Sequence, residues 1–420
     1  MAKRFNLLFM RKTPFLYSIP TLLSVGLAGA FLLPFSTKGD DWPQWRGPER
    51  NGISKETGWL AKWPAEGPKK LWEVEVGKGY SSMSVSLGRI YTMGNVNDTD
   101  AVSCFDAETG KPLWKHEYPC PAEDPNGFLG TRCTPTVDGD RVYTVSREGD
   151  FFCFNEETGN VIWSKDFKKD FGGVVPKWGY AGSPLIEKGW VLAEVSSPNG
   201  ASVVAFDKLT GAVVWKNGND RAGYSSLIAF DNGGERCFAQ FSTDHIIGRR
   251  MKDGSELWRL PWKTSYGVNA ATPIIEGDQM FLSSGYGFGC ARLKIAPTGA
   301  TEVWRNKNMR NHANSSVLVD GNLYGYDDSE LKCLDWKTGE VRWATKAYGK
   351  GSLMVADGKL ILYGQNGLLG IAEASPEAFK PISSFQAMGG KNTWAPPVLA
   401  NGRIYVRSLD KLAAFDVKGK

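Results

Sequence analysis

The residues best equipped for chemistry stand in short segments, each just ahead of a run of small residues. They are Lys78 and Tyr80, Arg132, Trp178 and Tyr180, Tyr224, Tyr266 and Asn269, Arg310, His312 and Asn314, and Lys391 and Trp394. Aromatic plates beside Arg, Asn and Lys could grip an anionic planar ligand; the same residues also suit the polar lining of a water-filled channel. No carboxylate stands among them, so neither a general base nor a calcium site is evident. His116, His245 and His312 are scattered and lack the spacing of a zinc site. Asn95 to Asp100 is rich in oxygen but lacks the Gly and the terminal Glu of a calcium loop, and it reads as a hairpin tip. Neither a Gly-x-Ser-x-Gly elbow nor a phosphate loop is present.

A repeated word positions these segments. Thr109-Gly110 leads to Trp114, Thr158-Gly159 to Trp163, Thr210-Gly211 to Trp215 and Thr338-Gly339 to Trp343. Asp253-Gly254 precedes Trp258, and Thr298-Gly299 precedes Trp304 with one extra residue. With Trp72, the tryptophans fall 42, 49, 52, 43, 46 and 39 residues apart, a period that indicates a propeller or a solenoid. The intervening segments alternate with period two, as in Arg141 to Val145 and Arg403 to Arg407. Turn pairs such as Asp138-Gly139 and Asn401-Gly402 precede them, so the units are β hairpins.

One unit is predicted as four strands: Cys133 to Val137, Arg141 to Ser146, Phe151 to Asn155 and Val161 to Asp166. Each first strand opens with small residues, as in Ser81-Ser82, Thr134-Pro135, Ser183-Pro184 and Ser225-Ser226. Such residues suit strands that converge on an axis, and eight openings predict eight blades. The last unit stops after its third strand, and the orphan Leu71 to Val76 fits as its fourth. The expectation is an all-β, eight-bladed propeller of four-stranded antiparallel blades, closed by an N-terminal strand in the last blade. The unit from Gly351 to about Gln386 is degenerate and puts Phe385 near the tryptophan position. Trp72, Trp114, Trp163, Trp215, Trp258, Trp304 and Trp343 are read as rings that dock one blade on the next.

Three parts are expected: residues 1–38, an arm at 39–70, and the propeller at 71–420. Lys3, Arg4, Arg11 and Lys12 precede an uncharged run from Phe15 to Phe35, which fits a signal peptide or a membrane anchor and places the rest of the chain outside the cytoplasm. Beyond residue 30 there are 46 basic and 45 acidic residues, so nearly all of the net charge of +5 lies in the leader and nucleic acid is not an expected partner. The arm holds Trp42, Trp45, Trp59 and Trp63 among prolines, and it is expected to lie extended on the surface of the propeller. Of seven cysteines, Cys104, Cys153 and Cys333 share a slot taken by Ala205, Gly248, Leu293 and Ala414 in other copies, which marks a small buried position. Cys120 and Cys133 flank a Pro- and Gly-rich loop. In an oxidising compartment they form the one credible disulfide; two free thiols is the alternative.

The pattern Ala/Cys-Φ-Asp-x-x-Thr-Gly-x-x-x-Trp, with a Gly-Arg-Ile-Tyr strand before it (Gly402 to Tyr405), resembles the quinoprotein-type, PQQ-like repeat over residues 71–420. The segment Asp41 to Pro48 with Asn51 to Ser54 is similar to the start of exported bacterial propellers of unassigned activity. WD-type repeats fit less well, since no Gly-His opens the unit and no Trp-Asp closes it. The resemblance implies one of two outcomes. BamB-like members are cofactor-free and work in outer-membrane protein assembly. Dehydrogenase members hold a quinone in the funnel over a calcium ion, with an Asp base and, in many, two adjacent cysteines. Here no two cysteines are adjacent and the chain is much shorter. The leading expectation is therefore a non-catalytic scaffold for envelope proteins, with no cofactor and with membrane contact through an uncleaved leader. The alternatives are a PQQ- and calcium-dependent alcohol or sugar dehydrogenase, and a binder of a small molecule or polysaccharide in the funnel.

Overall fold

In the computed structural model, eight antiparallel sheets follow one another along the chain. The structure describes Met1 and residues 40–122, 127–390 and 393–419. The leader at 1–38 and Lys391 lie outside the described residues, Met1 excepted. Blade 2 shows the plan: Thr136–Asp138, Arg141–Val145, Asp150–Asn155 and Val161–Asp166, joined in sequence order. Blades 1 and 3 to 7 repeat it, with innermost strands at Ser84–Ser86, Leu185–Glu187, Ile228–Asn232, Ile274–Glu276, Val317–Val319 and Gly351–Ala356. Blade 8 takes Val398–Ala400, Arg403–Arg407 and Lys411–Asp416 from the end of the chain, and Lys70–Glu75 pairs with the last of these to complete it.

The repeated word explains how the blades dock. Every outer strand has a register shift just before its tryptophan position, which sets the ring across from a slot on the third strand. Cys104, Cys153, Ala205, Gly248, Cys333 and Ala414 fill that slot. A Cβ on Gly248 would stand 2.3 Å from the Trp258 ring, which is why the slot is small. In blade 5 the extra residue moves the register, so Arg292 rather than Leu293 faces Trp304. Most rings then lie under the turn of the following blade; Trp258 is an exception, since the α-carbon of Gly299 faces open space. A Cβ on Gly159 would come within 2.6 Å of Trp114, and one on Gly211 within 2.6 Å of Trp163. The indole N–H of Trp114 donates to Glu156 O at 2.9 Å, and that of Trp343 to Ser375 O at 2.8 Å. In blade 7, Ser383 takes the tryptophan register. Phe385, two residues on, supplies the ring and packs against Gly67.

Because Gly159 combines φ +72° with an indole against its α-carbon, Gly159→Ala is expected to destabilise the protein by about 2–4 kcal/mol. Urea titration followed by tryptophan emission reads this directly. A change below 0.5 kcal/mol would mean that the turn does not seat the ring.

The small residues at the hub do more than relieve crowding. Ser82 N donates to Thr134 Oγ1, Thr134 N to Ser183 Oγ and Ser183 N to Ser226 Oγ, at 2.9–3.1 Å. Hydroxyls on one blade thus satisfy backbone donors on the one before, where no strand pairing is available. Cys120 and Cys133 are not joined; all seven cysteines are buried free thiols.

The arm departs most from expectation. Rather than lying along the outside, residues 42–54 cross the axis. Trp42 bridges Val85 of blade 1, and Pro43 O accepts from Val137 N of blade 2. Ile53 and Ser54 pair in parallel with Val355 and Ala356 of blade 7. Between them the chain folds into a tight loop, with Arg46, Gly47, Arg50 and Gly52 all at positive φ and Gly52 N donating to Arg46 O. That loop closes one end of the central channel. Its anchors are Arg46 Nη2 to Ser316 O at 2.8 Å, Arg50 Nη2 to Pro184 O at 2.6 Å, and Trp45 Nε1 to Thr272 Oγ1 at 2.9 Å. Residues 56–70 then run outward along blades 7 and 8, where Glu56 accepts from Gly402 N and Ser383 Oγ donates to Ala61 O.

Candidate functional site: a blind aromatic funnel

Segments that connect one blade's outer strand to the next blade's inner strand meet at the opposite end of the channel. They enclose a cavity of about 160 Å³ with Trp45 at its floor. Of the residues singled out from sequence, Arg132, Trp178, His312, Asn314 and Trp394 line it, together with Tyr80 and Tyr224. Phe128 and Tyr286 also line it and were not anticipated. Phe128 sits in the loop flanked by Cys120 and Cys133, and Tyr286 in a glycine-rich hairpin tip, so neither had a register mark.

Four expected residues face elsewhere. Lys78 borders a separate groove with Asn95 and Asn97, and Tyr180 is buried with its hydroxyl donating to Val195 O at 2.8 Å. Asn269 is fully buried in a knot between blades 4 and 5: its amide donates to Ser242 O and Trp262 O, and its carbonyl accepts from Ser284 Oγ at 2.8 Å. Arg310 forms a two-pronged pair with Asp327, at 2.5 and 2.7 Å, and Lys332 shares that carboxylate. The side chains of Asn269 and Arg310 are both claimed by partners away from the axis.

The lining rings form a continuous arc with the exposed Tyr266 beside them. Trp178 meets Tyr224 at 5.7 Å between centroids and Tyr266 at 6.5 Å; Tyr266 meets Tyr286 at 5.0 Å, and Tyr286 meets His312 at 4.8 Å. His312 stands edge-on to Trp394 at 6.1 Å, and Trp394 stacks on Tyr80 at 4.9 Å and 25°. Lys177 and Lys350 lie over Trp178 and Trp394, at 4.7 and 5.9 Å from the ring centroids. Arg132 donates to the backbone oxygens of Gly130 and Phe128.

Three polar atoms on lining side chains are buried without a hydrogen-bond partner among the described residues: His312 Nδ1, Asn314 Oδ1 and Trp394 Nε1. The Asn314 amide is fixed in orientation, because its Nδ2 donates to Gly351 O at 3.0 Å, and its carbonyl is left over. Burial, then Lys350, pushes the His312 imidazole down to about 4, so it is neutral at ordinary pH. The wall therefore carries an indole donor, an amide acceptor and a neutral imidazole.

Quinoprotein chemistry of the kind expected above needs a calcium ion held by carboxylates. None of the described residues that line the funnel is Asp or Glu. Nor is there, among the described residues, a group of three His, Cys, Asp or Glu placed to hold a metal. The donor set of this funnel does not fit a calcium-held quinone.

Behind the wall, Glu194 of blade 3 accepts from Gln240 Nε2 of blade 4 at 3.0 Å, and Gln240 accepts in turn from Arg249. Burial pushes the Glu194 carboxyl up to about 8, opposed by the Gln240 hydrogen bond and by Arg249. The folded state thus keeps a proton that the unfolded chain releases near pH 4.5, and stability is lost as pH rises from there to about 8. Glu194→Gln is expected to match the native protein at pH 4.5 and to exceed it by about 2 kcal/mol at pH 8. Denaturation at the two pH values checks this; equal stabilities at both would show that the carboxyl is not held neutral.

Comparison with known proteins places the chain. BamB from Moraxella catarrhalis superposes with a TM-score of 0.60 at 15% identity, covering 84% of this chain and 98% of that one. The quinohemoprotein alcohol dehydrogenase ADHIIG from Pseudomonas putida HK5 gives 0.65 at 12%, covering 90% and 80%. The computationally designed Ika8 protein gives 0.59 at 11%, covering 83% and 100%. At these identities the likeness shows the fold. Among curated proteins, the polyvinylalcohol dehydrogenase of Sphingopyxis sp. (strain 113P3) is 22% identical over 385 residues, and this chain spans little more than half of it, 56%. The family model described as "Outer membrane protein assembly factor BamB" matches residues 98–345, more than half of the sequence, and the chain belongs to that family of PQQ-type propellers.

Proposed function

We propose that the protein is an exported propeller that binds carbohydrate in its funnel. The observation that carries this reading is the unpartnered pair on the wall, the Trp394 Nε1 donor and the Asn314 Oδ1 acceptor, set among aromatic rings. A sugar hydroxyl both donates and accepts, and the C–H face of a pyranose packs on an aromatic ring. A carboxylate offers no proton to Asn314, and the guanidinium of Arg132 is already engaged with backbone oxygens. An unpartnered buried polar group costs about 1–3 kcal/mol, so a guest that satisfies two of them gains much of its orientation from that relief. Each atom is buried, so the lining side chains shift as the sugar enters.

A glycan array followed by calorimetry tests the reading: binding of defined sugars is expected, and an array with no hit overturns it. The family match supports a second reading, in which envelope proteins dock on the outside of the propeller. Cross-linking in cell envelopes, with identification of the captured chains, separates the two. Added quinone and calcium are expected to give no dye-linked alcohol oxidation, and turnover would return the dehydrogenase reading.

A further inference from the structure

We infer that Trp45 sets the specificity of this funnel, restricting it to one terminal sugar unit; the inference rests on the carbohydrate reading above. An eight-bladed ring whose inner strands open with Ser, Thr, Ala and Gly leaves an axial hole. In this chain the arm fills it. Trp45 lines the funnel from below and also lines the narrow space beneath it, beside Trp42, Arg46 and Gly52. The indole is fixed at its far edge by the bond to Thr272 Oγ1. The loop behind it is tied by Arg46 to Ser316 O and by Arg50 to Pro184 O, on opposite sides of the axis. Trp42 packs into the core while Trp45 stays partly exposed, as a ring facing a cavity does.

The consequence is geometric. A polymer cannot thread a channel closed at one end, so an internal unit of a chain never reaches Asn314 and Trp394. A free end does, and the units after it pass out along the Tyr286 and Tyr266 rim. Trp45 supplies the face on which the innermost ring rests. Nothing in the repeat pattern requires an aromatic there, because Arg46 and Arg50 carry the anchoring of the loop.

The test uses the full chain and three probes of one sugar: glucose, linear glucose oligomers of two to six units, and the corresponding cyclic oligomers, which have no end. The native protein is expected to bind linear oligomers at least tenfold more tightly than cyclic ones, with affinity levelling off after the first few units. Trp45→Ala is expected to weaken glucose binding about tenfold while keeping a cooperative melt, and Trp45→Phe to retain most of the affinity. Equal binding of cyclic and linear oligomers by the native protein overturns the inference. So does a Trp45→Ala variant with native affinities throughout. If the native protein binds no sugar in the array or here, the carbohydrate reading itself fails; binding of sugars without end-preference removes the role of Trp45 alone.

Discussion

Arg46→Ala is expected to lower the free energy of unfolding by about 3–5 kcal/mol, the largest effect of any substitution outside the blades. The guanidinium is buried and donates from Nε to Arg50 O at 3.1 Å, and from Nη2 to Asn51 O at 2.9 Å and Ser316 O at 2.8 Å. Burial alone lowers its pKa to about 10, so it remains charged at neutral pH, stabilised by the three carbonyl dipoles. Alanine leaves three carbonyl oxygens short of a donor and removes the cross-axis tie to blade 6. Lysine is not expected to rescue, since one ammonium cannot reproduce a fork that reaches three oxygens at fixed angles. Urea titration gives the loss, and limited proteolysis near residues 44–52 shows whether the arm leaves the channel. A variant with native stability would mean that the arm rests on the hub without closing it.

Trp394→Ala is expected to weaken sugar binding about 30- to 100-fold, a loss of about 2–3 kcal/mol, with little effect on folding. The ring stacks on Tyr80, lies 5.5 Å from Phe128 and stands edge-on to His312, so it is the junction of the arc. It belongs to the connection ahead of blade 8 and not to a strand, which is why the propeller is expected to survive its removal. Trp394→Phe keeps a face and loses the N–H donor, with an expected loss nearer three- to tenfold. The gap between the two variants separates stacking from hydrogen bonding. Calorimetry on both, with melting curves as controls, makes the measurement; equal affinities in all three proteins would place the ligand elsewhere.

The sequence pattern carried the ring architecture because its signals are local. A glycine at positive φ, a tryptophan four residues on and a small residue across the hairpin describe one docking event, repeated around the axis. The displaced strand Lys70–Glu75 was legible for the same reason, as the one outer strand without an inner part. The funnel was legible only as a register. Tyr80, Trp178, Tyr224, His312, Asn314 and Trp394 do line it. Asn269 and Arg310 share that register, yet turn toward Ser242, Ser284 and Asp327, partners 15–27 residues away that no spacing rule reveals. Trp45 was the least legible. The path of the arm across the axis is decided by Arg46 meeting Ser316 O and Arg50 meeting Pro184 O, across 270 and 134 residues. A Trp- and Pro-rich segment reads equally well as a surface strap.

The most direct test of the account is a crystal structure of the protein soaked with the tightest sugar from the array. One sugar ring is expected in the funnel, resting on Trp45, with hydroxyls on Asn314 Oδ1 and Trp394 Nε1 and the following units emerging past Tyr286. Sugar found on the outer strands or the far face, with the funnel unchanged, would contradict it.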